Sequence, residues 1–179
     1  MLASPHWPKW AAVRCSRRTR RPLEISFVVS ALPVAQFQPL FALSSAELAQ
    51  RGILRQTVEG PGAPCRVTLV DAEIGESVLL LNYEHQPADT PFRSRHAIFV
   101  REAATDTTFA PGEIPAAFRA RKFLSLRAFD AAGMMVDADL VPTAELAVAA
   151  PRLLADPKAA YLHAHYAGAG CYAARIDRA

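Results

Sequence analysis

The segment Ser77–Tyr83, Ser-Val-Leu-Leu-Leu-Asn-Tyr, constrains this chain more than any other. A near-continuous apolar run of that length is the signature of a strand buried on both faces. It predicts the centre of a sheet, and the flanking sequence supplies neighbours for it. Glu24–Ser30 and Ile53–Val58 are rich in β-branched and aromatic residues and read as strands, as does Val67–Val70 behind Cys65-Arg66 and the Gly60–Pro64 turn. Ala97–Arg101 reads as another. Phe123–Asp130 and Met134–Val141 form a hairpin with Gly133 at the left-handed turn position. A last hairpin starts at Ala160 and turns through Gly168 and Gly170.

Helical spacing is confined to short stretches. Leu32–Phe41 is one, and Ser44 opens a second with Glu47 in its first turn and Gly52 behind it. Ile114–Arg121 is a third. Thr143–Leu154 is the fourth, where Pro151 is expected to end or kink the helix. The chain is therefore expected to be an α+β domain, a mostly antiparallel sheet with three or four short helices packed on it. Glu84–Arg95, polar and bracketed by Pro87 and Pro91, reads as a long loop of the kind that carries function or moves.

At 179 residues the chain suits a single domain. Charge divides it. Residues 1–22 hold Lys9, Arg14, Arg17, Arg18, Arg20 and Arg21 and no acid, which leaves 14 basic and 17 acidic residues, a net −3, for residues 23–179. The basic stretch, interleaved with prolines and lacking periodicity, predicts a disordered extension ahead of one α+β domain spanning 23–179. An export signal at Ser16-Arg17-Arg18 would need an apolar core, which Arg20, Arg21, Pro22 and Glu24 interrupt; a start placed too far upstream explains the stretch more simply. A mildly acidic body gives no electrostatic reason for nucleic acid as its partner. No apolar run approaches the roughly 18 residues that span a bilayer, so no membrane partner is expected. Cys15, Cys65 and Cys171 are odd in number and widely spaced, which argues against a disulfide framework and predicts a cytoplasmic home.

Reactive side chains are spread unevenly. Tyr161–Tyr172 holds His163, His165, Cys171 and three of the four tyrosines. On a strand, His163 and His165 project from one face with Cα atoms about 6.6 Å apart, a spacing that suits two ligands of a divalent metal. His85, His96, Cys65, Cys171, Glu84 and Asp130 are the candidates for a third ligand. Cys171 is also a candidate nucleophile with a histidine base, provided the hairpin register places His165 beside it; the alternative register pairs His165 with Tyr172 and turns the thiol away. Cys65, between Pro64 and Arg66, is a second candidate thiol. Arg66, Arg93, Arg95 and Arg127 could bind an anionic small molecule through guanidinium forks, with Tyr83, His85 and His96 lining the same cleft if the long loop folds over it, or pair with Glu84, Asp89, Glu102 and Asp130 as surface ion pairs. There is no GxSxG, GxGxxG or Walker loop.

Five blocks in order carry a resemblance: Cys65–Leu69, Leu79–Pro87, His96–Glu102, Leu124–Asp130 and Tyr161–His165. They resemble the bacterial family of domain of unknown function 1203 from about Glu24 to the C-terminus. The resemblance implies domain limits and a cytosolic bacterial setting, and no activity. From the residues themselves, the expectation is a small enzyme acting on an anionic small molecule at a cleft of His163, His165, His96 and Arg127, with Cys65, Cys171 and Tyr172 among its catalytic candidates. The alternatives are a non-catalytic module for a small ligand and a metal-binding protein built on the His163-x-His165 pair. The oligomeric state is open.

Overall fold

The computed structural model describes residues 25–179; the basic extension and the candidate export signal lie outside them. The chain folds as two antiparallel sheets rather than one. The larger has five strands in the order β1-β8-β7-β5-β6: β1 Phe27–Ser30, β5 Phe123–Phe129, β6 Met135–Pro142, β7 Tyr161–Tyr166 and β8 Tyr172–Arg178. The smaller has three, β2 Leu54–Thr57, β3 Ser77–Gln86 and β4 Ser94–Arg101, with β3 in the middle. The apolar run is therefore a central strand, but of the smaller sheet. It buries Leu79 and Leu81 on one face and leaves Leu80 and Asn82 more open on the other.

Period-two alternation divides the five-stranded sheet. On one face Leu124, Leu126 and Ala128 of β5 stand beside Tyr166, Ala164 and Leu162 of β7, with Ala174 and Ile176 of β8 beyond. The helix α4, Leu146–Leu154, packs Leu146, Ala149, Ala150, Leu153 and Leu154 onto them. Burying the leucines and Ile176 contributes roughly 1.5–3 kcal/mol each before entropy is counted, and the alanines less, so this face and helix are the main core. Pro151 sits inside α4 and does not end it; the helix runs on to Leu154. The opposite face carries Ser125, Arg127 and Phe129, then His165, His163 and Tyr161, then Tyr172 and Arg175. A sheet with one apolar and one polar face must cover or solvate the polar one. Here the polar face looks toward the far ends of β3 and β4.

The remaining helices are short. A 3₁₀ turn at Val34–Gln36 leads to α1, Gln38–Phe41, in place of the single helix expected there. The next, α2 at Ser45–Ala49, has the expected serine cap, and the cap is reciprocal: Ser44 Oγ accepts from Glu47 N–H while the Glu47 carboxylate accepts from Ser44 N–H. The fourth is α3, Ala116–Arg119. Val67–Val70, expected to be a strand, lies instead in a tight turn closed by Cys65 N–H to the Val70 carbonyl, with Leu69 at φ 49°. A leucine in the left-handed region is uncommon. It is held by bonds on both sides, Leu69 N–H to Cys65 O and Ala117 N–H to Leu69 O. No helix among the described residues is long and apolar enough to cross a membrane.

Candidate functional site

Two bulges build the site. In the β3–β4 pairing Glu84 faces Arg95 and Gln86 faces Ser94, so His85 is an extra residue in β3. A bulge breaks strict alternation. As a result His85 and Gln86 are both buried, and the Gln86 amide bonds the Tyr161 hydroxyl at 2.8 Å. The long loop expected from Glu84 thus begins only after Gln86, and His85 lies on a strand. The second bulge is in β8: Ala164 faces Ala174 but His165 faces Tyr172, so Ala173 is the extra residue. It brings Tyr172 onto the same inner face as Arg175, opposite the two histidines of β7.

The consequence is that all four histidines of residues 25–179 meet. His85 and His96 stack with ring centroids 4.8 Å apart, and His85 lies 5.2 Å from His163 and 5.1 Å from His165. His165 and His96 are 5.2 Å apart. Tyr172 stacks flat on His85 at 4.6 Å. His85, His163 and His165 are 8%, 3% and 0% exposed.

Hydrogen bonds fix much of the proton arrangement. His165 Nδ1 lies 3.1 Å from the Gly170 carbonyl, which can only accept, so Nδ1 carries the proton. That leaves Nε2 as a bare lone pair, and it is buried with no hydrogen-bond partner. His85 Nε2 stands 2.7 Å from His96 Nδ1 and 3.2 Å from Ser94 Oγ, while His85 Nδ1 is 3.3 Å from His163 Nδ1. Burial drives the imidazoles neutral: His85 and His163 fall to about 3 and His165 to about 2, with neighbouring histidines and arginines adding to the effect. His96, less buried, shifts the same way through desolvation and then the Arg127 charge.

Neutral imidazoles with inward lone pairs are metal ligands. One ligand atom each from His85, His163 and His165 falls within 4.8 Å of the others. With zinc–nitrogen bonds of about 2.0–2.1 Å a tetrahedron has an edge of about 3.3–3.4 Å, the separation the facing Nδ1 atoms of His85 and His163 already have. The donor set fits a zinc-like ion once the three ligand atoms, now within 4.8 Å of one another, draw together to that edge length.

Arg127 stands directly opposite His163 across β5–β7, half-buried, and has no hydrogen bond or ion pair among the described residues. Desolvation lowers its pKa. Arg175 flanks His163 on the other side but is engaged, bonded to Asp177 and lying 3.9 Å over the Tyr161 ring.

The other sequence candidates lie elsewhere. Arg93 and Arg95 both pair with Glu84 at the exposed edge. Tyr83 is at the margin, its ring 6.4 Å from Tyr172 and its hydroxyl on Gln36. Asp130 accepts from Ala132 and Met134 N–H within its turn. Cys65 is fully buried in the smaller sheet's core, its sulfur accepting from Arg101 N–H. The hairpin takes the register in which His165 faces Tyr172, so Cys171 points away from the histidines and its sulfur meets Arg66 instead. Sequence reasoning missed the Gln86–Tyr161 pair and the Phe129 ring, 5.0 Å from His163.

Fold and site together define an α+β protein in which two antiparallel sheets enclose a cluster of neutral histidines beside an unpaired arginine. Residues 62–178 match the family described as Protein of unknown function (DUF1203), and the chain belongs to that family. Every residue of the cluster lies inside the match, whereas β1, α1, α2 and β2 precede it. No curated protein and no solved structure matches the chain.

Proposed function

We propose that this protein is a metal-dependent enzyme acting on a small anionic molecule, with His85, His163 and His165 holding a divalent transition-metal ion and Arg127 binding the anionic group. The observation that carries this reading is the His165 imidazole: Gly170 fixes its tautomer, the lone pair left over is buried and unpartnered, and the ring lies 5.1 Å from that of His85 and 5.2 Å from that of His96. A buried polar atom without a partner costs roughly 1–3 kcal/mol, and metal coordination would relieve it. A bound ion with three protein ligands and an open position polarises a substrate oxygen or a water. The chain's own residues do the rest. His96 orients His85 through the 2.7 Å bond, Tyr172 and Phe129 wall the imidazoles from solvent, and Arg127 offers an unused fork to a carboxylate or phosphate.

A centre of neutral ligands beside an unpaired cation has a positive potential, which favours an anion over a neutral substrate. Both described cysteines are free, which supports the expected reducing, cytosolic setting. The test pairs metal analysis of purified protein with anion binding. Wild type is expected to carry close to one equivalent of metal, and His163→Ala and His165→Ala to lose it. Arg127→Met should keep the metal and the fold while weakening phosphate or acetate binding about tenfold. Wild type that stays metal-free after loading would end the reading.

A further inference from the structure

Arg66 is 1% exposed, and a buried guanidinium ordinarily has a carboxylate partner. Arg66 has none among the described residues. Its Nε donates to the Tyr172 carbonyl at 2.8 Å, one Nη to the Pro64 carbonyl, and the other Nη to Cys171 Sγ at 3.1 Å. Its face lies 5.0 Å from the Tyr166 ring centroid. Two carbonyls satisfy hydrogen bonds but bring no charge, so the only hydrogen-bond partner among the described residues able to carry a full negative charge is the sulfur.

A cavity of about 400 Å³ opens onto this group, lined by Arg66, Cys171, Tyr166, Arg121, Gly168 and Phe99. Tyr166 is 4% exposed, and its hydroxyl is buried with no hydrogen-bond partner. A neutral phenol carries an O–H, so this hydroxyl is a donor with nothing to donate to. Arg121, the other cation in the lining, is already held by Asp71 and the Ala117 carbonyl. The cavity thus holds a partly exposed thiol, a guanidinium without an acid, and an idle hydroxyl donor. What it lacks is an anionic acceptor.

We propose that Cys171 is a hydroperoxide-reactive thiol, with Arg66 the partner of the anion its oxidation generates. The sulfur, as thiolate, attacks the near oxygen of a peroxide; the S–O bond forms as the O–O bond breaks. Sulfur is oxidised by two electrons, and the peroxide leaves as hydroxide or alkoxide and takes a proton from water. The product is a sulfenic acid, whose anion accepts from Arg66 Nη and the Tyr166 hydroxyl. Because the oxyanion forms at the sulfur, it need not be desolvated on entering. The site uses none of the histidines and stands or falls apart from the metal reading.

The full chain is treated with hydrogen peroxide in the presence of a chelator, the sulfenic acid is trapped with dimedone, and each cysteine is read by peptide mass spectrometry. Cys65, fully buried, is the internal reference. Cys171 is expected to label about tenfold faster than Cys65 and than free glutathione under the same conditions. In Arg66→Met, shown by circular dichroism to be folded, labelling at Cys171 should fall about tenfold. Tyr166→Phe, which removes only the hydroxyl, should lower the trapped fraction with the fold intact. Cys171 labelling no faster than Cys65 and glutathione overturns the proposal, and so does an unchanged rate in folded Arg66→Met.

Discussion

Moving the metal-free protein from pH 8 to pH 5 should cost it a large part of its stability, and the histidine cluster sets the amount. His85 and His163 titrate at about 3 and His165 at about 2 when folded, against an unfolded value near 6.5. Their folded pKa values lie below the unfolded one, so between about pH 6.5 and 3 the unfolded chain binds more protons. Stability therefore falls as pH falls through that window. At pH 5 each histidine held neutral costs about 2 kcal/mol, and three cost on the order of 6, which is comparable with the whole stability of an ordinary domain. Between pH 6 and 5 the slope should approach about 4 kcal/mol per pH unit. Glu47, Glu76 and Glu84 are shifted down by their hydrogen bonds, and an unfolded glutamate titrates at about 4.3, so between pH 8 and 5 the carboxylates add little to the change and the histidines dominate it. Urea denaturation with a chelator at pH 8, 6 and 5 measures the effect, and His165→Leu should remove about one-third of the slope. A midpoint unchanged between pH 8 and pH 5 would refute the claim that these imidazoles are buried and neutral.

His96→Ala should lower the affinity for Zn²⁺ by about 10–100-fold in a calorimetric titration, because His85 loses the partner that fixes its ring; direct removal of His85 should cost more. Gly133→Ala should destabilise the protein by more than about 1 kcal/mol: φ is 83° there and the added methyl would collide with the Ala88 side chain, so the urea midpoint drops while the far-ultraviolet spectrum is kept.

How much of this was legible in the sequence differs from element to element. The β5–β6 hairpin and the Ser44 cap were readable because each rests on local chemistry, a glycine with φ 83° and a reciprocal Ser–Glu pair. The shared face of His163 and His165 followed from strand periodicity alone. Their partners did not. His85 looked like loop because the polar residues after Asn82 mask a strand that continues through a bulge, and a bulge has no signature in composition. The register of the last hairpin hinged on Ala173, an alanine among alanines. Arg66 was read on a strand as a ligand-binding fork, yet the turn ending at Val70 takes it inside. The polar face of the larger sheet, facing the end of the smaller one, is a long-range arrangement that no window of sequence contains.

The central claim, that His85, His163 and His165 form one metal centre, is tested most directly by X-ray absorption at the metal edge of the zinc-loaded full chain. The account predicts three imidazole nitrogens at about 2.0–2.1 Å and one oxygen ligand, the imidazole signal falling in His165→Ala. A sulfur ligand, or no zinc retained after loading, would contradict it.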